Sequence, residues 1–391
     1  MSVRREVSVL LAVVIAATLL LAVAGCGDTT TTTTAPPATE TTAAPVTTET
    51  TEADPYADIR DKFKGEKLIA TAWSGPYTEM FIEVFAKPFM EITGAEVEVQ
   101  GVWTEIPSKI KAAPADDPPF DVTIGDGSVY YAVIEDNLFL PIRTENIPNM
   151  EEIFPALMAQ KPAVDGFGVP FDGAYAGIVT AEGTTLTKWA DFWDKPELKG
   201  KISFDKGFYY SIYPAIFALG LDPREALTDP ALTDQVFAKT KELAPSMLKW
   251  YESGGEFFGL LERGDLAAGY YYATQSAMGD VGERLNLTTT IPEDGRVGYI
   301  DYYFVVRGTK HQDLAEAFIN YIISAERQQE WCARQWMGVA NRNVTLPDGV
   351  PYDRPPITNE DWEQFHDYDW DIFYQDWDAW DSRWKKEILG Q

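Results

Sequence analysis

Between Lys67 and Ile124 the apolar residues switch back and forth between a two-residue and a 3.6-residue period, and this restricts the fold more than any other feature of the chain. Lys67–Trp73 has the length and composition of a short strand. Phe81, Val84, Phe85, Phe89 and Ile92 then share one helical face, which stops at Thr93-Gly94. Ala95 to Val102 alternates as a strand, Ile106 to Ala113 follows as a helix, and Phe120–Ile124 is a third strand. Strands separated by helices pair in parallel, so this half is an α/β unit. Ligands of such sheets gather at the carboxyl ends of the strands, where Trp73, Tyr77, Asp126 and Ser128 fall.

A second α/β pattern begins after Gly166. The stretch from Gly166 to Val179 predicts a crossover, with Val169-Pro170-Phe171 extended, Asp172-Gly173-Ala174 as a point of turning or flexing, and Ala176–Thr180 as a buried strand leading away. An ordinary turn within one sheet is the plainer alternative. Thr187–Trp193, Tyr210–Leu219 and Leu232–Leu243 are expected helices, Lys201–Phe204 and the run ending at Tyr272 expected strands. Tyr302–Val306 is a further strand, followed by helices over Gln312–Ile323 and Ala325–Trp336. Trp362, His366, Trp370, Phe373, Trp377, Trp380 and Trp384 recur at steps of three or four, which predicts one helix with an aromatic stripe.

The ends and the composition narrow the function. Arg4 and Arg5 precede an apolar run from Val7 to Ala24 that closes in Val23-Ala24-Gly25-Cys26, a secretory signal, with an uncleaved membrane-spanning helix as the alternative. Its ending resembles the lipobox of bacterial lipoproteins, which implies cleavage before Cys26 and lipid on its sulfur. Residues 27–53 contain 13 Thr and 3 Pro and too few apolar side chains to order themselves. As a tether they reach at most roughly 80 Å. The formal net charge of −29 disfavours nucleic acid as a partner. Cys332 has no partner once Cys26 is committed, and with only His311 and His366 a His-rich metal site is excluded. Asp367, Asp369, Asp371 and Asp378 imitate calcium-loop spacing, but Ile372 stands where the loop needs Gly. Neither a metal nor a cofactor is expected.

The order of Ala72-Trp73 to Tyr77, Ile92-Thr-Gly94, Phe120-Asp121, Val169-Pro170-Phe171, Trp189–Trp193, Pro196–Gly200, Leu219-Gly220, Pro292–Asp301 and Phe318–Tyr321 resembles the lipid-anchored solute-binding proteins of ABC importers, within them the spermidine/putrescine-binding family. The resemblance implies an α/β, two-lobed periplasmic-binding-protein-like fold of type II, its lobes joined by two crossover strands with a hinge and a ligand cleft. The implied division is a signal at 1–25, a tether at 26–57, a first lobe of 58–171 and 300–345, and a second of 172–299 and 346–391. It also implies a monomer that binds a small cationic solute, delivers it to a membrane permease and catalyses nothing.

Carried over residue by residue, the aromatic walls of that family's cleft match Trp73, Tyr77, Tyr272 and Tyr299. Asp126, with Ser128 two residues on, matches a polar loop contact, Asp301 a ligand carboxylate, and Trp362 with Glu363 a contact in the C-terminal segment. Two second-lobe acids of the family fall on Gly207 and Tyr210, with Asp205 close by as a substitute. Core packing is the alternative for each aromatic. Tyr270-Tyr271-Tyr272 is similar to the tyrosine ligands of ferric-ion-binding relatives, although its spacing from Gly264-Asp265 differs. A surface glycosidase, needing two facing carboxylates, is a rival of another class.

Overall fold

The structure, a computed structural model, describes residues 55–274, 280–350 and 355–391. The expected signal, almost all of the tether, and Cys26 lie outside the described residues. The described strands are β1 (Lys67–Trp73), β2 (Glu96–Val102), β3 (Val122–Gly125), β4 (Gly168–Thr180), β5 (Ile202–Asp205), β6 (Met247–Tyr251), β7 (Ala268–Tyr272), β8 (Thr288–Thr290), β9 (Gly298–Val305) and β10 (Gly338–Val339). Their spatial order is β2-β1-β3-β9-β4-β7-β5-β6, with β8 and β10 also paired to β4. β1 pairs in parallel with β2 and β3, and β5 in parallel with β6 and β7. β9 lies antiparallel between β3 and β4. The fold is the mixed α/β arrangement that the alternating periods predict.

Local chemistry explains two departures from regularity. The helix after β1 runs from Pro76 to Thr93 but widens to a π turn at Ile82–Ala86. Pro88 accounts for it, because it has no N–H to give the Val84 carbonyl, which accepts from Arg327 at 3.5 Å instead. Gly94, at φ 72°, then ends the helix in a conformation that a side chain disfavours.

The second departure is β4, where the expected turn at Asp172-Gly173-Ala174 is absent. Thirteen consecutive buried residues form one strand, and the irregularity is a register shift between Pro170 and Asp172. Asp172 and Gly173 are paired on both sides, to β9 and to β10. Gly173 serves close approach rather than flexibility: a Cβ there would come within 2.5 Å of the Tyr299 carbonyl oxygen and 2.9 Å of the Trp362 ring.

Apolar side chains collect in two large clusters and a small third. The first includes Phe81, Phe85, Phe171, Tyr303, Phe318 and Trp331, the second Trp189, Phe204, Tyr213, Tyr270, Trp370 and Trp384. β4 passes from the first to the second between Tyr175 and Ala176, and β9 returns between Val297 and Ile300. The C-terminal segment is divided between them, with Trp362 and Phe365 in the first and Tyr368 to Trp384 in the second.

That segment is three short α-helices, Asn359–Glu363, Trp370–Phe373 and Trp377–Trp384, where one was expected. Asp367 bridges to Gly298, and the Asp376 carboxylate caps Ala379 N at 3.2 Å, so the chain breaks where its aromatics must turn toward different cores.

Candidate ligand site

Two strands that run antiparallel side by side bring residues far apart in sequence into register, and here they align two acids. Asp172 on β4 and Asp301 on β9 are cross-strand partners, and both are 0 % exposed. Asp172 Oδ2 accepts from Tyr77 OH at 2.8 Å and from Trp331 Nε1 at 2.7 Å. Asp301 Oδ2 accepts from Trp73 Nε1 at 2.7 Å. The Oδ1 atom of each carboxyl group is buried without a hydrogen-bond partner. Burial pushes Asp172 up to about 6, against the pull of the groups that donate to it. Burial, and then the negative charges of Asp172 and Asp126, hold Asp301 well above the ordinary carboxylate range.

Asp126 sits where β3 hands over to the helix Gly127–Val133. It caps that helix, accepting from Ser128 N at 3.0 Å and from the Ser128 hydroxyl, and burial raises it too. Across from these acids Asp205 ends β5, accepts from Gly207 N at 2.7 Å, and is pushed up to about 7 by burial.

Tyrosines lie between the two groups of acids. Tyr272 meets Tyr299 edge-on at 4.8 Å, and Tyr210 lies 5.9 Å from Tyr272. Tyr299 feels the charges of Asp301 and Asp172, while Tyr210 feels both Asp126 and Asp205. These rings, with Trp73 and Tyr77, are only partly buried, whereas Asp126, Asp172 and Asp301 are buried. Among the described residues, no Lys or Arg pairs with Asp126, Asp172, Asp205 or Asp301. Buried acids flanked by aromatic faces and lacking a cation of their own can accept N–H donors from a positively charged guest.

The structure therefore brings together Trp73, Tyr77, Asp126, Ser128, Tyr210, Tyr272, Tyr299 and Asp301. It does not bring Trp362 and Glu363 there. Trp362 is in the first core, its Nε1 donating to Val339 O at 3.3 Å, and its ring covers Gly173 on the face of β4 opposite Asp172. Glu363 is exposed and accepts from Asn359 Nδ2 at 2.6 Å. The capping box at Thr358 sets this orientation, turning Trp362 inward and its neighbour out.

Three neighbours join the residues that the sequence singles out. Asp172 has the local sequence of a turning point, and Trp331 lies within a helix-forming stretch with no mark of a site. Trp103, 43 % exposed, meets Trp73 edge-on at 5.6 Å. It follows the carboxyl end of β2, so the rule that singled out Trp73 at the end of β1 could have found it.

A cleft of about 360 Å³ is lined by Gly127, Tyr302, Asp367, Trp370 and Arg224 among others, and by none of the eight residues gathered above. Arg224 is held there by Asp369 at 2.9 Å and Asp371 at 2.8 Å. The tyrosine run on β7 does not converge on one point. Tyr270 bonds Tyr368 inside the second core and Tyr271 stacks on Phe257, as alternation along a strand requires.

Among known proteins, the chain is 30 % identical over 144 residues to a gamma-aminobutyric acid-binding protein of Pseudomonas aeruginosa, which covers 36 % of this chain and 40 % of that protein. It is 22 % identical over 226 residues to the putrescine-binding periplasmic protein PotF of Escherichia coli, 52 % of this chain and 60 % of that one. Both matches thus span less than two thirds of the relative's length. The fold is similar to that of the spermidine/putrescine ABC transporter substrate-binding protein PotD of Streptococcus pneumoniae, with a TM-score of 0.65 at 21 % identity over 81 % of this chain and 99 % of that one. The sequence pattern of the bacterial extracellular solute-binding proteins matches residues 85–359, and the chain belongs to that family.

Proposed function

We propose that this chain is the extracytoplasmic solute-binding component of an ABC importer, that lipid on Cys26 holds it at the membrane, and that its solute is a small polyamine-like cation passed to a permease. The observation that carries the choice of solute is the set of four acids, Asp126, Asp172, Asp205 and Asp301, none paired with a Lys or Arg among the described residues. They stand on both sides of the tyrosines, which suits a guest with ammonium groups at two ends. An aromatic face contributes about 0.5–2 kcal/mol to a cation beside it. An amino acid such as gamma-aminobutyrate carries a carboxylate as well, and these acids offer it no partner. The two halves close on the solute about β4 and β9, and the solute is released unchanged.

A thermal-shift screen of the purified protein tests this. Putrescine and spermidine are expected to raise the melting midpoint, since a ligand at 100 times its Kd adds about 2.7 kcal/mol to the folded state. Gamma-aminobutyrate, simple sugars and ferric citrate are expected to leave it unchanged. A shift with one of these and none with either amine would sink the reading. Mass spectrometry of the membrane-extracted protein checks the anchor, where an unmodified Cys26 counts against it.

A further inference from the structure

Asp172 stands outside the contacts that family resemblance brings to this chain, and its surroundings are unusual. It faces Asp301 directly across β4 and β9, and both side chains are fully buried. Two ionised carboxylates side by side in a buried site repel strongly, which favours one proton retained between them. Three aromatic donors fix one oxygen of each group: Tyr77 and Trp331 on Asp172, and Trp73 on Asp301. The other oxygens, Asp172 Oδ1 and Asp301 Oδ1, have no donor. An ammonium group carries three N–H bonds and supplies what both lack.

On the reading of the protein as an amine binder, we infer that Asp172 and Asp301 act as one receptor: the empty site holds a single proton between them, and a ligand's ammonium group takes that proton's place. The charges balance. The pair begins with one proton and one negative charge, the proton leaves to water, and two carboxylates then face one ammonium group whose N–H bonds all remain intact. The titratable groups facing the pair are Asp126 from the cap of the helix Gly127–Val133, Tyr77 from the helix after β1, and Tyr299 and Tyr303 from β9. Burial raises all three tyrosines well above their usual value, so they stay neutral. Their hydroxyls cannot replace the lost proton's charge, and Asp126 adds negative charge that favours keeping either a proton or a cation.

Calorimetric titration of the whole protein with putrescine, in two buffers of different ionisation enthalpy, is expected to show protons released on binding near pH 6, the release falling toward zero as pH rises. Asp172→Asn is expected to bind putrescine roughly thirtyfold or more weakly. The variant is expected to release fewer protons than wild type at the same pH. Its melting curve without ligand shows whether it has folded, and the wild-type proton count decides the matter even if it has not. Putrescine binding without proton release, or at unchanged affinity in folded Asp172→Asn, overturns the paired receptor and leaves the amine reading intact. A wild-type protein that takes up neither putrescine nor spermidine overturns both.

Discussion

The indole N–H of Trp73 donates to Asp301 Oδ2 at 2.7 Å, linking the carboxyl end of β1 to a strand that the chain reaches more than 200 residues later. Asp301 is thereby held in place by a neutral donor, and the nearby arginines are engaged elsewhere. Arg296 lies over the Tyr175 ring at 5.8 Å, and Arg307 donates to the carbonyls of Asn137 and Phe139. Asp301→Asn keeps the shape, can still accept from Trp73, and removes the charge. Putrescine affinity should fall by about 2–5 kcal/mol, at least roughly thirtyfold in Kd. Calorimetric titration beside a melting curve should find this loss without a loss of unliganded stability. A drop in stability with affinity preserved would show that Asp301 is structural.

Stability of the empty protein should depend on pH in a definite direction. Asp172 and Asp205, pushed up to about 6 and about 7, bind their protons more tightly in the folded chain than in the unfolded one. The folded state is therefore favoured below the unfolded carboxylate value, and that contribution is lost as pH rises through the folded values. Because the formal charge of −29 adds a general trend of the same sign, the useful quantity is the difference between wild type and Asp172→Asn. Urea unfolding from about pH 5 to pH 8 should move that difference in the variant's favour, by an amount on the order of 2 kcal/mol. A constant difference would mean that Asp172 is ionised throughout.

The aromatic walls can be tested apart from the acids. Tyr299 is partly exposed, meets Tyr272 edge-on, and lies within the field of Asp301. Tyr299→Leu should weaken putrescine by about 0.5–2 kcal/mol, the contribution of one ring face to a cation. Equal affinity in a competition titration would assign Tyr299 to packing.

Gly173 gives a prediction about the crossing strand itself. With the Tyr299 carbonyl 2.5 Å and the Trp362 ring 2.9 Å from where a Cβ would lie, Gly173→Ala should destabilise by about 1–3 kcal/mol. Gly255, in the helix Gly254–Glu262, has nothing within 4 Å of that point. Gly255→Ala should be neutral or stabilise by up to about 1 kcal/mol. Denaturant melts of the two variants side by side check the contrast, and a harmless Gly173→Ala would remove the packing argument for that position.

Much of this architecture is legible in the order of residues. β1 spans Lys67–Trp73 as its composition predicts, and Gly94 ends the following helix where the apolar face stops. Tyr299 and Asp301 share a face because a strand has a period of two. What could not be read depends on partners distant in sequence. Asp172 beside a glycine has the local signature of a turn, and only β9 and β10 on either side show that it lies in a fully paired strand. Trp362 has the composition of a binding residue, and the vacancy at Gly173 that draws it into the core belongs to another part of the chain. β6, with burial at only one of its five residues, carries almost no periodic signal. The aromatic spacing in the C-terminal segment persists across two breaks, so periodicity alone could not reveal them.

Trp73, Tyr77 and Trp331, which steady the two central carboxyl groups, all pack with the first core, whereas Tyr210 and Tyr272 pack with the second. On the amine-binding reading, the side of the site built on the first core presents its carboxyl groups already fixed, and the side built on the second core completes the contacts. Capture and retention become separable. Substituting Trp73 or Trp331 should slow association, while substituting Tyr210 or Tyr272 should leave association alone and shorten the time the guest stays, a distinction that stopped-flow fluorescence can draw.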